Sequence, residues 1–122
     1  MAKKILFIED EARLQEAMAA KLKSDGYEVL SAFDGETGIK MAQEHKPDLI
    51  LLDLILPKKD GFEVLEELKA KPGLPAVPIL ALTNLEDRRS IERCLSYGVH
   101  SYLAKANYSL DEISQKIKEA LQ

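Results

Sequence analysis

The sequence is short of several things that whole classes of protein require. It has no tryptophan and a single cysteine, Cys94. One thiol excludes an intrachain disulfide and a metal site built from several cysteines. There is no surplus of positive charge: 17 Lys and Arg stand against 21 Asp and Glu, for a formal net charge of -4. Proteins that grip nucleic acid usually carry a basic excess, so no direct nucleic-acid partner is expected. No apolar run approaches the ~20 residues that cross a bilayer, and no membrane partner is expected. The apolar stretch behind Met1-Ala2-Lys3-Lys4 is too short for a signal peptide, which makes a cytoplasmic location the expectation. Repeats, linkers and low-complexity segments are also missing.

What remains is an ordinary globular balance, 46% hydrophobic and 31% charged over 122 residues. That length suits one domain, 1–122, with a core of its own. The chain is organised around Pro47 to Gly61. Leu49 to Leu52 is apolar without alternation, the mark of a central strand covered on both faces. The run stops at Asp53, and Pro57 and Asp60-Gly61 then supply a turn. Asp53 is thus expected at the carboxyl end of a buried strand, the edge where open α/β sheets bind ligands. A carboxylate there needs a partner, because burying a lone charge is costly.

The same alternation recurs along the chain. Lys4 to Ile8 reads as a strand ending in Glu9 and Asp10, and a helix follows with Leu14, Met18 and Leu22 inward and Ala17 and Ala20 filling in. Gly26 ends that helix. Glu28 to Phe33 is a second strand, and Glu36 to His45 a second helix that Pro47 prevents from continuing. Asp60 with Glu63 forms a capping box for a third helix marked by Phe62, Leu65 and Leu68. A loop from Lys71 to Pro78 leads to a strand at Val77 to Leu82 that ends in Thr83-Asn84. The fourth helix, Asp87 to Tyr97, is expected to turn Ile91, Cys94 and Leu95 inward before Gly98 closes it. Ser101 to Ala104 is a short strand ending in Lys105, and Ser109 with Glu112 caps a last helix whose inner face is Leu110, Ile113, Ile117 and Leu121. Strict strand–helix alternation predicts a doubly wound, three-layer α/β domain with a parallel sheet.

Every strand end but the second delivers a polar group to one sheet edge: Glu9 and Asp10, Asp53, Thr83, Lys105. Clustered carboxylates repel, and a hard divalent cation such as Mg²⁺ relieves the repulsion through oxygen ligands. A carboxylate can also attack phosphorus to give an aspartyl phosphate. Phosphoryl transfer needs its equatorial oxygens neutralised, for which a metal, the Lys105 ammonium and the Thr83 hydroxyl are a sufficient set.

The residues Glu9-Asp10, Asp53 with Pro57 and Asp60-Gly61, Thr83, and Tyr102-Leu103-Ala104-Lys105 resemble, in kind and order, the receiver domains of two-component response regulators. The resemblance implies a five-stranded flavodoxin-like (βα)5 fold with strand order 2-1-3-4-5. It implies that Asp53 accepts a phosphoryl group from a phosphohistidine on a sensor histidine kinase or a histidine phosphotransfer protein. Asp10 would ligate Mg²⁺ directly, Glu9 mostly through water, and the Ile55 carbonyl would add a ligand. Lys105 would pair with the phosphoryl group, Thr83 would move toward it, and Tyr102 would turn inward. The face of the fourth helix, fifth strand and fifth helix would then change for a downstream effector or a missing output domain. Such a protein modifies itself at Asp53 and is not a turnover enzyme.

Two positions depart from the family pattern. Ala106 follows the lysine where the family usually has proline, often after a cis bond. A cis bond before a non-proline residue costs about 2.5–4 kcal/mol, so a trans Lys105-Ala106 bond and a shifted loop are expected. Asn84 stands where a small residue is usual. Ile55 and Leu85, at positions that tune dephosphorylation, are apolar and orient no water, which predicts slow loss of the phosphoryl group. Elsewhere the plain readings prevail: Cys94 as a small core residue, His45 as a cation at a helix end, and His100 without a ligating neighbour. Arg88, Arg89 and Arg93 form a solvated face or a docking surface.

Other functions fit less well. A flavin carrier of this fold needs a phosphate-cradling loop after the first strand, where this chain has Glu9-Asp10-Glu11. An aspartyl-phosphate hydrolase usually has a second acid two residues past its nucleophile, where this chain has Ile55. A docking module that works without phosphorylation is the remaining alternative, and Asn84 and Ala106 are what keep it open.

Overall fold

The computed structural model describes residues 2–70 and 77–122. Five strands form one sheet in the order β2-β1-β3-β4-β5: β1 Lys4–Ile8, β2 Glu28–Ala32, β3 Leu49–Leu52, β4 Ile79–Thr83 and β5 Ser101–Ala104. All four neighbouring pairs are parallel. Between them run α1 Ala12–Ser24, α2 Gly35–His45, α3 Gly61–Ala70 and α4 Arg88–Ser96, with α5 Leu110–Ala120 last. This is the doubly wound architecture and strand order expected.

Alternation within each strand splits the core in two. Leu6 and Ile8 of β1, with Ile50 and Leu52 of β3, pack on Ile39 and Ala42 of α2, Val64 and Leu65 of α3, and Cys94 of α4. Ile5 and Phe7, with Leu49 and Leu51, pack on Met18 and Leu22 of α1 and on Ile113 and Ile117 of α5. Because β3 is covered on both sides, all four of its residues are buried. Its uninterrupted apolar sequence follows from that.

The helix ends are set by local chemistry. Asp34, Asp87 and Ser109 cap α2, α4 and α5 by accepting the backbone N–H of Thr37, Ser90 and Glu112. Asp60 accepts from the Glu63 N–H at 2.9 Å, and Ser109 with Glu112 completes a capping box. Gly26 and Gly98 lie just past α1 and α4 with φ of +96° and +80°. A side chain resists that backbone, which is why glycine ends both helices.

Three assignments change. Ala17 and Ala20 face solvent, and Gln15 shares the inner stripe of α1 with Met18 and Leu22. At ~100° per residue, Ala17 and Ala20 lie well off the direction of Met18. Leu95 points outward at 49% exposure. The inward stripe of the short α4 passes through Cys94 toward Tyr97, so its next residue falls outside. The fourth strand runs Ile79–Thr83 and so includes Thr83 as its last residue. Most of the expected Lys71 to Pro78 loop lies outside the described residues.

Candidate functional site

The sheet order decides which strand ends meet. β1 and β3 are neighbours at its centre, so Glu9, one residue past β1, and Asp53, one residue past β3, emerge side by side. The Asp53 N–H donates to the Ile8 carbonyl at 3.0 Å, and the Glu9 N–H donates to the Ala32 carbonyl at 2.9 Å. These bonds extend the ladders just far enough to fix both acids. β5, two strands from β3, brings Lys105 to the same edge.

Lys105 stands between the two acids. Its Nζ lies 2.6 Å from Glu9 Oε1 and 2.9 Å from Asp53 Oδ2. Asp53 Oδ1 accepts the Ile55 N–H at 3.2 Å, and Glu9 Oε2 accepts the Glu11 N–H at 3.1 Å. Asp10 is exposed beside them. One carboxylate oxygen from each of Glu9, Asp10 and Asp53 lies within 4.8 Å of the others.

The electrostatics are those of a crowded, half-dry acid site. Burial pushes the Glu9 carboxyl up to about 7, against the opposing pull of Lys105 and the Glu11 N–H, while the Asp53 charge pushes it further. Burial alone would lower the Lys105 ammonium, but bonding to Glu9 and Asp53 outweighs it and raises the pKa. A cation is therefore already favoured at this place. Glu9 Oε1 is fully buried, and the Lys105 ammonium at 2.6 Å is its partner. Three clustered carboxylates served by one ammonium fit a hard, hydrated divalent cation, whose opposite oxygen ligands span about 4 Å. The donor set is all oxygen, as Mg²⁺ prefers.

The other expected residues divide. Thr83 is fully buried, and its Oγ1 accepts the Leu85 N–H at 3.3 Å, with no described bond to Asp53 or Lys105. Tyr102 is half-buried, and its hydroxyl donates to the Leu85 carbonyl. Burial first, then nearby negative charge, pushes that phenol up to about 12. Ile55 is 54% exposed at the mouth of the site. Asn84 is exposed. No cis peptide occurs among the described residues, so Lys105-Ala106 is trans as expected, and Lys105–Asn107 forms a short 3-10 turn before α5. Cys94 is a buried free thiol whose pKa burial pushes up to about 11, which makes it inert. Arg93 of the expected solvated face stacks on the Phe62 ring at 4.2 Å.

Gln15 was missing from the expected set. It is buried at 2% exposure and donates to the carbonyls of Phe7, Glu9 and Ala32. A glutamine on a helix normally reads as solvent-facing. The signal for its burial is spacing, three residues before Met18 and seven before Leu22.

Fold and site together define a class: a doubly wound α/β domain with an acidic, lysine-paired cluster at the carboxyl edge of its central strands. The family model for the response regulator receiver domain matches residues 5–118, and the chain belongs to that family. It is similar to the alkaline phosphatase synthesis transcriptional regulatory protein PhoP of Bacillus subtilis (strain 168), with 37% identity over 122 residues, 100% of this chain and 50% of the relative. The probable transcriptional regulator ycf27 of Porphyridium aerugineum is 34% identical over 119 residues, 98% of this chain and 48% of the relative. The chain spans about half the length of these curated relatives. Among solved structures, the receiver domain of the sensor histidine kinase PA1611 of Pseudomonas aeruginosa PAO1 superposes with TM-score 0.88 at 32% identity, covering 99% of this chain and 98% of that one. That structure has a magnesium ion coordinated in its active site cleft. The chemotaxis protein CheY4 of Vibrio cholerae shares the fold, with TM-score 0.90 at 24% identity over 99% of this chain and 100% of that one. No helix among the described residues is long and apolar enough to cross a membrane.

Proposed function

We propose that Asp53 is the phosphoacceptor of this receiver domain, served by Mg²⁺ and by Lys105. The observation that carries this is the Lys105 ammonium, 2.9 Å from Asp53 Oδ2 and 2.6 Å from Glu9 Oε1 at the edge where Asp10 also stands. Glu9, Asp10, Asp53 and the Ile55 carbonyl would hold Mg²⁺, which supplies charge neutralisation for the acids and for the oxygens of the incoming group.

The chain's own residues do the rest. The Asp53 carboxylate attacks phosphorus as the P–N bond of a phosphohistidine breaks, leaving an acyl phosphate. Lys105, already held between two carboxylates, turns its charge to a phosphoryl oxygen without leaving its place. The donor is a sensor histidine kinase or a histidine phosphotransfer protein. Since Asp53 belongs to the chain itself, the event is stoichiometric and not turnover. Ile55 and Leu85 offer no side-chain group to orient an attacking water, and the acyl phosphate persists well beyond seconds.

The output follows from β4 and β5, which carry the responding residues. Thr83 lies opposite Ala104 in the ladder, one residue from Lys105. Tyr102 is tied to the β4–α4 loop through the Leu85 carbonyl. Added charge on Asp53 draws the Thr83 hydroxyl, and the loop that carries Leu85 moves with it. A downstream effector or an attached output domain reads the resulting face of α4, β5 and α5, where Leu95 stands exposed.

The test is intact mass after incubation with acetyl phosphate, with and without Mg²⁺, beside Asp53→Asn. One phosphoryl adduct that requires both Mg²⁺ and Asp53 is the expected result, and its decay is followed by mass. A folded parent with no adduct in Mg²⁺ would replace this reading with a docking module that works without phosphorylation.

A further inference from the structure

Gln15 has a structural role that simple packing does not explain. Its Nε2 lies 2.8 Å from the Phe7 carbonyl, 2.9 Å from the Ala32 carbonyl and 3.2 Å from the Glu9 carbonyl. Only a donor can face three acceptors, which fixes the orientation of the amide. The Ala32 carbonyl also accepts the Glu9 N–H at 2.9 Å. One side chain on α1 thus pins the carboxyl ends of β1 and β2 together where the acid cluster begins.

The turn beyond is closed by the same residue. The Gln15 N–H donates to the Glu11 carbonyl at 3.0 Å, and the Glu11 N–H donates to Glu9 Oε2 at 3.1 Å. Glu9 is therefore held at its carbonyl by the Gln15 amide and at its carboxylate by Glu11, with Asp10 between them. Packing alone would not choose glutamine here. Gln15 Oε1 is buried without a hydrogen-bond partner, which costs stability that a methionine of the same length would not incur. The amide earns its place through its donor.

We infer that Gln15 is a positioning residue for the metal site: it orients Glu9 and Asp10 toward Asp53 by fixing the Glu9 carbonyl. It acts through the backbone and touches no reacting atom. The inference rests on reading Glu9, Asp10 and Asp53 as a divalent-cation site.

The test is Mn²⁺ binding to the full chain, read as loss of the free-ion electron paramagnetic resonance signal. The variants are Gln15→Met, which keeps length and removes the donor, Met18→Val, which loosens the same helix face, and Asp10→Asn. Residues that orient metal ligands typically change affinity by 10–100-fold, and about 10-fold weaker binding is expected for Gln15→Met. Met18→Val should lower the thermal midpoint and keep the parental affinity. Parental affinity in Gln15→Met while Asp10→Asn loses binding would overturn the inference alone. An equal loss in Met18→Val would do so too, by showing that loosening the helix suffices. A parent that leaves the Mn²⁺ signal unchanged would overturn the metal-site reading and this inference with it. If Gln15→Met loses the parental circular dichroism, Gln15→Asn, whose donor is one methylene too short, is judged by the same comparison.

Discussion

Lys105 Nζ lies 2.9 Å from Asp53 Oδ2 although 52 residues separate them in the chain. The same ammonium lies 2.6 Å from Glu9, so one lysine neutralises acids from two neighbouring strands. Lys105 therefore does in the resting protein part of what a divalent cation would do, and the two would compete for the same oxygens. Lys105→Met leaves the acids without that charge. In the absence of divalent cation the variant should lose roughly 3 kcal/mol, the typical cost of orphaning a buried ion-pair partner. Mg²⁺ should then raise its thermal midpoint by more than it raises the parent's. Calorimetry with and without Mg²⁺ checks this, and an equal Mg²⁺ gain in both proteins would show that Lys105 and the metal do not share the site. Phosphorylation by acetyl phosphate should slow in the same variant.

The loop after β3 is shaped by a close approach. A Cβ on Gly61 would fall 2.5 Å from Leu54 Cα and 2.7 Å from the Asp53 carbonyl, both backbone atoms that cannot step aside. Gly61→Ala should therefore cost about 1–3 kcal/mol and disturb the backbone that carries Asp53. Gly98, with φ of +80° and only the Lys69 ammonium near its would-be Cβ, offers the comparison. Gly98→Ala should cost about 1 kcal/mol through strain alone and leave phosphorylation at Asp53 intact. Urea unfolding and adduct mass separate the two, and parental phosphorylation in Gly61→Ala would show that this close approach does not position Asp53.

Much of this arrangement was legible in the sequence because burial punctuates it. Leu49 to Leu52 cannot be an amphipathic element, so the acid that follows it must emerge at an edge, and Asp53 does. The capping residues Asp60 and Ser109 announced their helices within a residue. Pairing was not legible from composition or spacing. That Lys105 meets both Glu9 and Asp53 depends on strand order, which adjacency in sequence does not carry and only resemblance supplied. Gln15 escaped because a polar residue on a helix is usually solvated, and the three carbonyls that receive it come from β1, its end and β2. Leu95 faces outward against expectation because a nine-residue helix has too few turns for periodicity to fix its inner face.

Three helices are held by carboxylates whose acidity the fold enhances. Asp34, Asp87 and Glu112 sit below the ordinary carboxylate value, chiefly because the backbone N–H groups of Thr37, Ser90 and Ser109 favour the ionised form. A lowered folded pKa means the unfolded chain binds the proton more readily. Their stabilisation is complete above the unfolded value near pH 4 and is lost as pH falls through the lower folded values. The urea midpoint should thus decline below about pH 4. Asp34→Asn with Asp87→Asn keeps two caps while removing their titration. The paired variant should show a shallower decline over that range, and an unchanged slope would assign acid sensitivity elsewhere.

The Tyr102 hydroxyl reaches across to the Leu85 carbonyl, joining β5 to the loop between β4 and α4. That loop also receives Thr83, whose Oγ1 accepts the Leu85 N–H at 3.3 Å. Leu85 is therefore gripped at its N–H by a threonine beside the acid site and at its carbonyl by a tyrosine on the outer strand. A shift of Thr83 toward a charged Asp53 would pull Leu85 by one grip while the other remains. Tyr102→Phe removes the remaining one in advance, without touching Asp53, Lys105, Glu9 or Asp10. It should cost about 1 kcal/mol, the usual net worth of one hydrogen bond. Amide exchange should quicken in the segment from Asn84 to Asp87 and stay slow in β5, while adduct formation at Asp53 proceeds at the parental rate. In the parent, phosphorylation should alter exchange in that same segment, and in Tyr102→Phe most of that change should already be present. Parental exchange from Asn84 to Asp87 in Tyr102→Phe would show that the tyrosine does not hold the loop, and the signal would then have to leave the site by a route other than Leu85.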